Sequence, residues 1–181
     1  MNKASIFWFT GLSGSGKTTI ATAVRDLLQD QGYDVLILDG DDVRERLHVH
    51  LGFTEKDIKK NNELIAGLCQ KFQDRHHAIF VPIISPYRVS RQKARRMFPE
   101  RFYEIYFCAS LETVTQRDLK GLYAKARSGE IDNLIGYSPG AVYEPPQTPD
   151  LVIDSGNDPL AGSVRKFHEF VVDKLSDRHV A

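Results

Sequence analysis

The chain has 181 residues, 41% hydrophobic and 27% charged, which suits one globular domain with a single substantial core. Lys plus Arg and Asp plus Glu balance at 24 each, so no global field favours a nucleic acid polymer or an anionic membrane. No apolar run approaches the roughly 20 residues of a membrane span. The first apolar run begins almost at once and leaves no room for a signal peptide. Cys69 and Cys108 have neither metal nor CxxC spacing and read as reduced core residues of a cytoplasmic protein.

Five β-type runs are spaced by helical or loop segments: 5–10, 34–38, 78–84, 103–108 and 150–154. The second and third are nearly continuous in apolar residues, as strands buried on both faces should be. Between 10 and 34, Ile20, Val24, Leu27 and Leu28 share one helical face. Residues 55–75 carry helical spacing through Ile58, Leu64, Ile65, Leu68 and Phe72. Residues 159–175 do so through Val164, Phe167, Phe170, Val171 and Leu175. Alternating β and α elements predict a mainly parallel five-stranded sheet with helices on both faces, a three-layer α/β fold. Residues 119–148 are rich in Lys, Arg, Gly, Tyr and Pro without strong periodicity. A segment of that length inside one domain spanning 1–181 reads as a mobile lid.

The segment from Gly11 to Thr18 is a complete GxxxxGK[ST] loop between the first strand and the first helix. Its glycines let the backbone wrap a phosphate chain, so that N–H groups and the helix N-terminus face the anion. In that setting Lys17 reaches the β and γ phosphates, and the Thr18 hydroxyl holds Mg²⁺. A chance Gly/Ser-rich turn lacks the flanking strand and helix. After the second strand comes Leu38-Asp-Gly-Asp-Asp-Val-Arg44, which sets Asp39 and Asp41 at the carboxyl end of a parallel strand, facing the ligand crevice. They can orient Mg²⁺ through water or take a proton from an attacking hydroxyl, or simply cap the next helix. Arg44 and Arg88 both follow strand ends and suit an anionic second substrate. Phe53 offers either a base-stacking face or a helix-packing ring.

These motifs, with LGFTEKD (51–57), IISPYR (83–88), RDLKGLYAKARSGEI (117–131) and the late YEPP and TPDLVID, make the chain resemble the adenylylsulfate (APS) kinases over nearly its whole length. The resemblance implies a P-loop NTPase fold that phosphorylates the ribose 3′-hydroxyl of APS with Mg-ATP, and a homodimer. It places Asp41, Arg44, Phe53, Asn61, Ile84, Ser85 and Lys120 against the acceptor nucleotide. It puts Lys120, Lys125 and Arg127 on the lid; Gly121 and Gly129 beside them read as hinges, against the alternative of a solvated helix face. It also brings Gly14, Ser15, Gly16, Lys17, Thr18, Thr19 and Arg117 to ATP, with a loop near Asn157 at the ATP base.

Three positions depart from the family pattern. Ile58 stands where the family has arginine, Lys60 where it has glutamate, and Leu134 where an aromatic stacks on the substrate adenine. The return 137–143 is also slightly longer. All lie on the acceptor side. They leave open a kinase of the same fold acting on another nucleotide-linked acceptor, such as cytidine diphosphoramidate. A non-catalytic nucleotide-binding switch is a third reading, opposed by the retained Lys17, Thr18, Asp39 and Asp41.

Overall fold

The computed structural model describes residues 3–46 and 51–176; residues 1–2, 47–50 and 177–181 of the expected 1–181 domain lie outside the described residues. Five parallel strands form one sheet in the order β2-β3-β1-β4-β5. They are β1 (Ser5–Thr10), β2 (Val35–Ile37), β3 (Ala78–Val81), β4 (Phe102–Phe107) and β5 (Leu151–Ile153). The helices are α1 (Lys17–Asp30), α2 (Gly40–Arg46), α3 (Glu55–Phe72), α4 (Arg88–Met97), α5 (Leu111–Arg117), α6 (Leu122–Arg127) and α7 (Leu160–Ser176).

β1 is the central strand because every one of its six residues is buried, with side chains alternating between the two helical layers. Phe7 and Phe9 join α1 (Ile20, Val24, Leu28) and α7 (Phe167, Val171, Leu175). Ile6 and Trp8 join α3 (Ile65, Ala66, Cys69), Ala94 of α4 and Phe98 just after it on the opposite face. Phe9 and Phe167 meet edge to face, 5.1 Å between ring centres. Each fully buried side chain of this size contributes about 1.5–3 kcal/mol, so the aromatic centre anchors β1 and, with it, everything at its carboxyl end. Leu27, expected on the buried face of α1, lies at its margin and is 43% exposed.

β3 is shorter than its apolar run, ending at Val81 rather than 84. Pro82 has no N–H for the ladder, and Ile83 instead donates to the Val81 carbonyl at 2.9 Å. The chain leaves β1 toward β2 on one side and β4 toward β5 on the other. That reversal opens a crevice at the carboxyl ends of the central strands. Among the described residues no helix is long and apolar enough to cross a membrane. Cys69 and Cys108 are both free; Cys69 is buried, as expected, but Cys108 is only half-buried.

Candidate active site

The loop after β1 sits at that reversal. Gly11 has φ +153°, and a Cβ there would lie 2.7 Å from the Phe107 carbonyl oxygen, so only glycine lets the turn press against β4. Gly16 leads into α1 in the left-handed conformation, and no side chain caps that helix. Its first-turn N–H groups are therefore left to an anion. Lys17 is 7% exposed, and its Nζ donates to the carbonyls of Gly11 (2.9 Å) and Leu12 (2.7 Å) and to Ser15 Oγ (3.2 Å). Burial, helped by the nearby Lys120 charge and opposed by Asp39 and Asp41, pushes its ammonium down from 10.5 to about 7.

Asp39 makes the helix cap that the acidic motif offered, and its other oxygen turns to the phosphate loop. Its Oδ1 accepts from the Asp41 N–H at 2.9 Å, and its carbonyl accepts from Val43 N at 2.9 Å, which starts α2. Its Oδ2 accepts from the Thr18 hydroxyl at 2.7 Å. A hydroxyl and a carboxylate so close are hard oxygen donors of the kind Mg²⁺ takes alongside substrate phosphates. Asp41 projects outward and forms an ion pair with Lys120, which arrives from the segment after α5. Tyr123 on α6 ties the same segment to the loop, its OH donating to the Ser13 carbonyl at 3.0 Å. The Asp118 carboxylate caps α6 through Tyr123 N (3.0 Å) and Ala124 N (2.8 Å).

Arg117 Nη2 donates to the Ser155 carbonyl at 2.7 Å, and the Asn157 amide donates to both oxygens of Asp154 at 3.1 and 3.0 Å. Arg117, expected at ATP, and Asn157, expected near its base, thus flank Ser155 and Asp154 in the loop after β5.

On the acceptor side the positions differ in character. Phe53 is 56% exposed, with the Arg44 guanidinium 4.6 Å from its ring centre. Arg44 Nη1 also donates to Leu51 O (3.0 Å) and Gly52 O (2.8 Å), so it shapes the approach to Phe53 as well as lining it. Thr54 caps α3 just beyond, accepting from Asp57 N. Asn61 is buried on α3 beside Asn62. Ile84 is half-buried and presents its carbonyl to Gly11 N and Thr10 Oγ1. Ser85 is turned inward: its hydroxyl donates to Asn62 Oδ1 at 2.7 Å and accepts from Trp8 Nε1 at 2.9 Å. Only its backbone is left to face a ligand. Arg88 is occupied with the chain return, donating from its backbone N–H to Glu144 Oε2 (2.7 Å) and from Nε to Pro145 O (3.0 Å).

The positions that depart from the family pattern are packed. Ile58 is buried with Tyr87 and Ile135. Leu134 is buried with Val114 and Tyr123, not presented to the crevice as a residue stacking on adenine has to be. Lys60 stays on the surface of α3, 3.7 Å from Glu63. Lys125 is exposed and pairs with Glu130 at 2.9 Å. The segment expected as a free lid is packed in part: α6 rests on the phosphate loop, and a Cβ at Gly136 (φ +76°) would lie 2.4 Å from Leu12 Cδ2.

Several residues here escaped sequence reasoning. Thr10, Tyr123, Tyr143 and Arg91 converge on the loop and strand ends through contacts distant in sequence. Arg91 had a single local signal, the basic run 91–96, which reads as solvated surface.

The comparisons with known proteins agree with this geometry. The sequence profile of the family described as adenylylsulphate kinase matches residues 3–154. An adenylyl-sulfate kinase of Halothermothrix orenii is 44% identical over 172 residues, 95% of this chain and 91% of its own. One from Bacillus velezensis is 41% identical over 176 residues, 97% of this chain and 88% of its own. The Mycobacterium tuberculosis APS kinase solved in complex with AMPPNP and APS superposes with a TM-score of 0.87 at 35% identity, covering 97% of this chain and 99% of that one. With the family profile matched over residues 3–154, a relative 44% identical over 95% of the chain and a solved family member superposing at a TM-score of 0.87, the chain belongs to the adenylylsulphate kinase family.

Proposed function

We propose that the protein transfers the γ-phosphoryl group of ATP to the ribose 3′-hydroxyl of adenylylsulfate, giving 3′-phosphoadenylylsulfate and ADP. The observation that carries this reading is the convergence of Lys17, Thr18, Asp39, Asp41 and Lys120 at the carboxyl ends of β1 and β2, in a chain of this family. The acceptor oxygen forms a bond to the γ-phosphorus while the bond to the β–γ bridging oxygen breaks, and the hydroxyl proton leaves to a carboxylate. Asp41 is the better acceptor of that proton, because both Asp39 oxygens are engaged by Thr18 and by the α2 N-terminus.

Thr18, with Asp39 acting through water, would hold Mg²⁺, which when bound would neutralise charge on the phosphate oxygens. Lys17 and the amides at the start of α1 orient the β and γ phosphates. Arg117 and Asn157 form the corner for the ATP base. Phe53 stacks on the acceptor base, with Arg44 and Lys120 meeting its anionic groups. Residues 119–148 act as a lid that opens by releasing the Lys120–Asp41 and Tyr123–Ser13 contacts and closes by remaking them. A cytoplasmic homodimer is the setting proposed for it. Light scattering during size exclusion, giving twice the chain mass, is the expected result for the assembly.

The direct test follows ADP release with Mg-ATP and APS, beside a panel containing a cytidine diphosphate-linked acceptor and simple nucleoside phosphates. Turnover with APS and formation of its 3′-phosphate is expected. Turnover of only the cytidine-linked compound would move the acceptor assignment and leave the phosphoryl chemistry standing.

A further inference from the structure

The geometry points to Arg91 as a positioning residue for the acceptor side of the site. Arg91 lies on α4, outside every motif assigned above, and is 2% exposed. Its guanidinium uses three edges at once. Nε donates to Glu104 Oε1 on β4 at 2.5 Å, Nη1 to the Ser85 carbonyl at 2.6 Å, and Nη2 to the Glu144 carbonyl at 2.7 Å. A buried cation held by one carboxylate and two carbonyls is not needed to make a sheet, and such sites gain little stability over apolar packing. What this one does is join two stretches that have no strand of their own: the turn 82–87 after β3, and the return 143–145 before β5.

Both stretches need holding. Ser85 has φ +44°, a conformation that a non-glycine residue keeps only where its surroundings over-determine it. Its carbonyl accepts from Arg91 Nη1 and lies 3.1 Å from Thr10 Oγ1, which is also 3.0 Å from the Ile84 carbonyl. The Thr10 hydroxyl has one proton, and it is spent on those carbonyls. The Tyr143 hydroxyl, 2.9 Å away, must therefore be the donor to Thr10 Oγ1. Glu144 N then donates to Pro86 O at 2.9 Å, and Glu144 Oε2 accepts from Arg88 N at 2.7 Å. Arg91 binds a carbonyl from each stretch, and Glu104 keeps its fork pointed at them. Arg95 steadies that carboxylate from the other side, 3.7 Å from Glu104 Oε2 and 2.6 Å from Asp150 Oδ2. The linkage reaches Ile84, Ser85 and Arg88, and touches the phosphate loop only at Gly11, whose N–H donates to the Ile84 carbonyl at 3.3 Å. The ATP corner of Arg117, Ser155 and Asn157 receives none of these bonds.

This inference rests on the acceptor reading of the 84–88 turn given above. The test compares Arg91→Lys and Arg91→Met with the wild-type enzyme in two measurements. The first is the KM for APS against the KM for ATP. The second, independent of any substrate, is hydrogen exchange of peptides covering 83–88 and 134–145 in the free protein. Lysine keeps the charge opposite Glu104 but lacks the planar fork that reaches both carbonyls. We expect the APS KM to rise about tenfold in Arg91→Lys while the ATP KM moves less than threefold, with both peptides exchanging faster. If Arg91→Met does not fold, Arg91→Lys decides alone. Equal changes in the two KM values, or unchanged exchange in both peptides, overturn the role. If the wild-type enzyme turns over a different acceptor, the same KM comparison is made with that compound. The exchange result stands apart from the choice of acceptor, so the two failures are distinguishable.

Discussion

Thr18 and Asp39 are joined by a 2.7 Å hydrogen bond that ties the end of the phosphate loop to the end of β2. The same carboxylate begins α2, so one side chain serves both the helix cap and the phosphate loop. Removing the carboxylate therefore disturbs two things, and an isosteric change separates them. Asp39→Asn retains a capping oxygen and should leave thermal stability within about 1 kcal/mol of wild type, since asparagine caps as well as aspartate. It should nonetheless weaken the Mg²⁺ dependence of turnover, read as a rise in the Mg²⁺ concentration for half-maximal rate. An unchanged Mg²⁺ profile removes Asp39 from the metal side of the site.

Lys17 should be required for turnover but not for folding. Lys17→Ala is expected to lower kcat by about 10²–10³-fold or more, as removal of a group aimed at developing charge does. Circular dichroism should remain that of the native fold. Near-normal turnover from a folded variant refutes the assignment.

The depressed Lys17 ammonium makes a prediction in pH. Its folded value of about 7 lies below the ordinary 10.5, so the unfolded chain binds more protons throughout that window. The cost of burying the charge is fully present below about 7 and is relieved as pH rises toward 10.5, so this residue's contribution makes stability rise with pH there. A triphosphate placed against Lys17 favours its charged form. Binding of Mg-ATP at pH 8 should therefore take up protons, measured by calorimetry in buffers of different ionisation enthalpy. Lys17→Met should abolish the uptake, and proton release by the wild type contradicts the account.

Tyr123 is 1% exposed, and its hydroxyl on Ser13 is one of the contacts that seat α6 on the phosphate loop. Burial pushes that phenol up to about 12, so it stays a donor across the physiological range. Tyr123→Phe keeps the ring against Tyr137 and loses only the hydrogen bond, worth about 0.5–1.5 kcal/mol. Hydrogen exchange across 119–131 should quicken in the free variant and slow again when both nucleotides are bound. Identical protection in wild type and variant, free and bound, is incompatible with a lid seated this way.

Ile58 is buried against Tyr87 and Ile135, which changes the outcome expected for restoring the family's arginine. Ile58→Arg places a longer, charged side chain in an apolar cluster, and overpacking alone costs about 1–3 kcal/mol. A lower melting temperature without a gain in APS affinity is expected. A tighter acceptor at unchanged stability shows instead that the cluster opens to admit the guanidinium.

How much of this was readable in the chain depends on distance along it. The phosphate loop, the Asp39 turn and the alternation of strands and helices are local patterns. Sterics at Gly11, the N-cap chemistry of Asp39 and Thr54, and continuous apolar runs act over a few residues, so the fold class and the ATP side follow from the sequence alone. β3 overran its true end only because three apolar residues follow Val81 although Pro82 closes the ladder. The acceptor side was different in kind. That the Ser85 hydroxyl faces inward is decided by Trp8, 77 residues away, and the Thr10–Tyr143 bond spans 133 residues. Arg91 reads as one more cation in a basic run until the fold lays Glu104, Ser85 and Glu144 around it. Leu134 looks like a lost stacking residue until its burial beside Val114 is seen. Periodicity and spacing report what a residue prefers. Which groups meet across the carboxyl ends of the strands is set by sheet order, and only the tertiary structure decided it.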